Sequence, residues 1–171
     1  AAANALRELF KAAPKLANSN TRDVLLKAVG DSKSGAIYAA TNVLGELFKA
    51  APTAENRDAL LKAAADSNEN VSYAVASALR ELVKAAPQLA NNQVRDALIK
   101  AAAADKISVI RLSAVCALSE LVKAAPQYAN HQIRDALLKA TKDSDVRQAA
   151  TAALEVVNKV ISGQVASDGK E

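Results

Sequence analysis

The side chains best suited to neutral-pH proton transfer and nucleophilic attack, imidazole and thiol, each occur once in this chain, as His131 and Cys116. A histidine-rich metal site needs several imidazoles, and a nucleophile needs a base held within hydrogen-bond reach. Neither arrangement can be assembled from one of each in unrelated contexts. There is no glycine-rich phosphate loop and no paired-cysteine motif. The residues therefore predict a protein that is not an enzyme and carries no cofactor and no metal. His131 stands where Asn92 stands in the preceding copy of a repeat, which reads as a helix entry, and Cys116 reads as a small apolar filler.

What remains is recognition. Tyr38, Tyr73 and Leu112 occupy one equivalent position of successive repeats, with Gln148 in a fourth. Four residues on stand Asn42, Ser77, Cys116 and Ala152, and three further on Gly45, Arg80, Ser119 and Glu155. Offsets of i, i+4 and i+7 put each set on one stripe of a helix. Tyr and Arg are frequent anchors of protein interfaces. The candidate partner-binding residues are Tyr38, Tyr73, Leu112, Asn42, Ser77, Arg80 and Arg111.

The elements that must position this stripe follow from an internal repeat. Lys-Ala-Ala-Pro occurs four times, ending at Pro14, Pro52, Pro87 and Pro126, each copy preceded by Leu-x-Glu-Leu. The aligned leucines are Leu6, Leu44, Leu79, Leu118 and Leu154, at intervals of 38, 35, 39 and 36 residues. Periods of this size belong to stacked helical repeats. Apolar residues at helical spacing place long helices over 1–13, 35–51, 70–86, 107–125 and 145–162. Proline ends the first four, because its ring cannot accept the next turn and restricts the residue before it. Short helices are expected to open at Thr21-Arg22-Asp23, Asn56-Arg57-Asp58, Val94-Arg95-Asp96 and Ile133-Arg134-Asp135. No strand pattern is present. The prediction is an all-α chain of nine helices in one array over 1–162, with units of about 1–34, 35–69, 70–106 and 107–144 and a final helix over 145–162. Residues 163–171 read as a polar tail.

With aromatics at 3% and much of the apolar content alanine, the core gains little area per residue, so helix propensity and close helix approach must supply stability. Phe10 and Phe48 share the core slot of Val83 and Val122. Tyr128, in the place of Leu16 and Leu89, is expected to plug a connector. Recurring charges predict i,i+4 pairs (Asp23–Lys27, Asp58–Lys62, Asp96–Lys100, Asp135–Lys139) and i,i+3 pairs (Glu8–Lys11, Glu46–Lys49, Glu81–Lys84, Glu120–Lys123) that keep one face solvated.

Leu137-Leu138-Lys139-Ala140, then Asp143-Ser144-Asp145-Val146-Arg147, then Ala149, Ala150 and Ala153-Leu154, resemble a HEAT or HEAT-like repeat. Ile110-Arg111, Ala114 and Ala117-Leu118 repeat the theme, while Val71-Ser72 and Ala36-Ile37 lack the arginine. The resemblance implies a right-handed α-solenoid, armadillo-like in its helical build, with the long helices on its concave face. It specifies a fold and not an activity.

The function expected is a non-catalytic scaffold presenting a concave surface to a protein or peptide. The alternative is nucleic-acid binding through Arg7, Arg80, Arg111 and Arg147; a third reading is an engineered or purely structural array. A formal charge of +4 from 22 basic and 18 acidic residues is mild for a nucleic-acid binder. Ala-rich ends also suit end-to-end self-association. One cysteine, no apolar run of membrane length and no signal-peptide pattern point to no membrane partner and a cytoplasmic location.

Overall fold

Alanine-rich segments punctuated by proline form helices throughout the described residues. A computed structural model describes residues 5, 8–10, 12–31, 34–65, 68–104 and 107–168. Among them there is no strand, and nine helices account for the regular structure. Helix α1 is described at residues 5, 8–10 and 12. Then come α2 (Ser19–Asp31), α3 (Ser34–Ala50), α4 (Ala54–Ala63), α5 (Glu69–Ala85), α6 (Asn92–Ala104), α7 (Ser108–Ala124), α8 (His131–Ala140) and α9 (Arg147–Asp168).

The prolines act as the sequence suggests. The last α-helical bond before each is donated by the second alanine of Lys-Ala-Ala-Pro: Ala13 to Leu9, Ala51 to Leu47, Ala86 to Leu82 and Ala125 to Leu121. A single 3-10 turn follows at Pro14–Leu16, Pro87–Leu89 and Pro126–Tyr128. The short helices open two residues earlier than predicted. Their starts are fixed by side chains that accept backbone N–H groups otherwise left without partners: Asn18 from Thr21, Thr53 from Asn56, Asn91 from Val94 and Asn130 from Ile133. The Arg-Asp pairs therefore stand as the fourth and fifth helical residues, where the first turn passes into the second. Helix α9 runs past Gly163, where no proline follows to stop it.

The chain divides into two compact units, Ala1–Leu89 and Ala90–Glu171. In the first, α3 packs along α5, α2 packs on α3 and α5, and α4 packs on α5. Val43, Leu44, Leu47 and Phe48 of α3 and Val75, Leu79, Leu82 and Val83 of α5 are buried, as are Val29 and Leu60 from the short helices and Phe10 of α1. In the second, α7 packs along α9 while α6 and α8 pack on each other and on the long helix that follows each. Its core holds Leu98, Ile110, Leu118, Leu121, Val122, Ile133, Leu137 and Val157.

Polar staples supplement these small cores. Arg22 is only 6% exposed and donates from Nη1 to Asn56 Oδ1 at 2.9 Å, joining α2 to α4. Asn56, also buried, donates to the Ala51 carbonyl. Asn68 caps α5 and donates to the Gly30 carbonyl of α2 at 3.1 Å. In the second unit the Tyr128 hydroxyl donates to the Ala90 carbonyl at 2.7 Å, so Tyr128 does pin a connector. Arg111 pairs with Asp143, tying α7 to the turn before α9.

The aspartates of the Arg-Asp pairs take the preceding arginine, not the lysine four residues on, as at Arg22–Asp23, Arg57–Asp58 and Arg95–Asp96. These pairs are within one helix and their aspartates are exposed, so each contributes little. Arg22 differs because it also serves a buried acceptor on another helix. Arg22→Met should destabilise by about 1–3 kcal/mol, the cost of leaving Asn56 Oδ1 unpaired, whereas Arg95→Met should cost under about 1 kcal/mol. Urea unfolding of the two variants tests this, and equal losses would mean that Arg22 is no staple.

Candidate functional site

The stripe read from sequence is built in the first unit by α3 and α5. Tyr38, Asn42, Gly45 and Lys49 follow one another along α3, and Tyr73, Ser77, Arg80 and Lys84 occupy the equivalent places on α5. Because α3 and α5 pack side by side, equivalent residues come together. The rings of Tyr38 and Tyr73 meet edge to face, with centroids 5.7 Å apart and planes at 75°, a favoured geometry for an aromatic pair. Tyr38 is 56% exposed and Tyr73 is half-buried, so the pair is supported from below and open above. Asn42 is exposed and Ser77 half-buried.

The lower part of the stripe is governed by Lys49. Its ammonium reaches Glu46 at 2.9 Å on its own helix and Glu81 at 3.2 Å on α5. The Glu46 carboxylate, and then Glu81, raise the Lys49 pKa above the ordinary lysine value of 10.5 against an opposing effect of burial. Glu81 is thereby drawn away from Lys84, its expected partner at i+3. Gly45 lies buried beneath the Glu81 side chain. Arg80 is half-buried, and its Nε is buried without a hydrogen-bond partner.

Leu112 and Arg111 belong to the second unit, on α7. Leu112 is 37% exposed, and the Arg111 guanidinium is engaged by Asp143. Cys116 is a half-buried free thiol, and His131 is the exposed first residue of α8. On α9 the equivalent stripe residues Gln148, Ala152 and Glu155 line an open groove of about 490 Å3 with Ser144, Arg147 and Thr151. Arg7 and Lys11 lie outside the described residues. Among the described residues no three His, Cys, Asp or Glu side chains gather as metal ligands, and no helix is long and apolar enough to cross a membrane.

Sequence reasoning missed the part played by Lys49, Glu81 and Lys84, because the Lys49–Glu81 contact joins different helices.

No family model, no curated protein and no solved structure is similar to this chain. Its function must be argued from the residues themselves.

Two expectations follow. A Cβ on Gly45 would meet Glu81 Cγ at 3.5 Å, an ordinary van der Waals contact. Gly45→Ala should therefore stabilise the chain by about 0.5–1 kcal/mol through helix propensity, read as a higher urea midpoint; a lower midpoint would show that α3 and α5 need the bare backbone. Lys49→Met should cost no more than about 1 kcal/mol at neutral pH, since Lys49 is partly exposed. A pKa raised by folding gives stability that is full below the unfolded value of 10.5 and lost as pH rises through the folded value. The gap between wild type and Lys49→Met should stay constant to about pH 10 and close above it. Equilibrium unfolding across that range measures it, and a gap that persists at higher pH would point to packing, not charge.

Proposed function

We propose that this chain is a HEAT-like, right-handed α-solenoid array acting as a non-catalytic scaffold for a protein or peptide partner. The carrying observation is the Tyr38–Tyr73 pair, two aromatic rings on neighbouring long helices, locked edge to face and open to an incoming surface. Aromatic area on a stiff support binds with little loss of conformational freedom, and free energy otherwise spent on ordering is retained as affinity. Asn42 and Ser77 flank the rings with hydrogen-bonding groups, and Arg80 stands at the end of the stripe.

The packing of long helix on long helix and short helix on the following long helix, within each unit, supports the repeat reading. So does the burial of equivalent leucines at Leu44, Leu79 and Leu118. Other arginines are committed elsewhere. Arg22, Arg57, Arg95 and Arg134 sit beside aspartates, Arg111 pairs with Asp143, and Arg147 donates to the Thr141 carbonyl. Groups so engaged are poorly placed to release counterions from a phosphate backbone, which favours the protein-binding reading over nucleic acid.

Affinity capture from cell extract at moderate salt, with wild type beside a Tyr38→Ala, Tyr73→Ala variant, tests this. A protein retained by wild type and lost by the folded variant is the expected result. Capture of nucleic acid alone, released steeply by added salt, would overturn it. So would equal protein capture by both baits.

A further inference from the structure

The partner's chemistry can be argued from how charge is distributed along α5. Down one face of this helix run Glu69, Tyr73, Ser77, Arg80 and Lys84, at steps of four, four, three and four residues. Acid stands at the top, aromatic and hydroxyl groups in the middle and base at the bottom. On the neighbouring helix Lys49 is ion-paired with both carboxylates of the lower region, Glu46 and Glu81. Three cations and two anions share that lower region, an excess of one positive charge, and with both carboxylates on Lys49 neither Arg80 nor Lys84 is ion-paired among the described residues. Lys84 is exposed, and Arg80 keeps Nε buried without an acceptor. A guanidinium and an ammonium with no carboxylate of their own are the groups to which an incoming carboxylate makes charge-assisted bonds.

We infer that the stripe formed by Tyr38, Tyr73, Arg80 and Lys84 binds an acidic peptide segment, with an apolar residue on the tyrosine pair and carboxylates on Arg80 and Lys84. This rests on the scaffold reading and names the class of partner. The spacing is set by the helix. Seven residues from Tyr73 to Arg80 rise about 10 Å, and four more to Lys84 rise about 6 Å. Side chains on one helix tilt the same way, so these offsets carry over to their tips. An extended peptide advancing about 3.3 Å per residue would set its first acid about three residues from the apolar anchor and its second about two further on. Glu69 fixes the polarity: it repels acid at the tyrosine end, so the carboxylates must lie towards Lys84.

Selection from a displayed library of random dodecapeptides tests this, using the full chain at moderate salt. Wild type should enrich peptides carrying Leu, Phe, Tyr or Trp with Asp or Glu at the stated spacing. Arg80→Gln should weaken the best selected peptide by about tenfold, the usual worth of a charge-assisted bond, as read by fluorescence anisotropy. Arg95→Gln carries the same charge change on α6 and should leave affinity unaltered. Lys84→Gln, at an exposed position, gives a second variant whose folding is not at risk and should weaken the same peptide. Enrichment of apolar or basic peptides without acids would overturn the inference while leaving the scaffold reading intact, provided Tyr38→Ala, Tyr73→Ala abolishes binding. Failure of wild type to enrich any peptide would overturn both. Equal weakening by Arg95→Gln would reduce the effect to net charge and overturn the assignment to Arg80.

Discussion

The side-by-side packing of α3 on α5 is the constraint on which the rest of the first unit depends. An alanine-rich chain with few large side chains can close a core only if its scarce leucines and its one fully buried phenylalanine arrive at matching heights. Leu44, Leu47 and Phe48 and their counterparts Leu79, Leu82 and Val83 do so, and all are essentially inaccessible to solvent. Matching heights in the core force matching heights outside it. The tyrosines meet, and Lys49 lies within reach of Glu81, because the buried leucines have already set the register. The outer stripe is a consequence of the inner one.

Register also decides the electrostatics. A lysine that can choose between a carboxylate on its own helix and one on the next takes both, at 2.9 and 3.2 Å. The repeat would otherwise pair every Glu with the Lys three residues on. One cross-helix contact, Lys49 to Glu81, departs from that pattern and leaves Lys84, at the basic end of α5, without the carboxylate three residues before it. Small changes at one repeat position thus give a repetitive fold a local identity. The aliphatic core can stay nearly constant while the positions beside it diverge.

Much of this was legible in the sequence because its causes are local. Proline stops a helix whatever surrounds it, so the ends of α3, α5 and α7 fell within a residue or two of expectation. The short helices began earlier than read because Asn18, Thr53, Asn91 and Asn130 act from outside the helix, where apolar spacing carries no signal. The expected Asp–Lys pairs gave way to Arg-Asp neighbours because a guanidinium can fold back onto the adjacent carboxylate while its stem stays buried. The contacts that link repeats, Arg22 to Asn56 and Arg111 to Asp143, span more than thirty residues and follow from no local rule. Gly163 was read as an end and is not one, since a glycine weakens a helix by about 1 kcal/mol without blocking the next hydrogen bond.

Register between α3 and α5 is fixed in the free protein, so the stripe proposed for recognition is formed without a ligand. With only three tyrosines and two phenylalanines in the chain, the aromatic proton resonances are few enough to assign. The most direct measurement is the nuclear Overhauser contact between the rings of Tyr38 and Tyr73 in the unliganded protein. Strong ring-to-ring cross-peaks, with a ring-current shift of Tyr73 that disappears in Tyr38→Leu, are the predicted result. Sharp, averaged tyrosine signals with no cross-peak between them would contradict it, because the stripe would then have no fixed form for a partner to recognise.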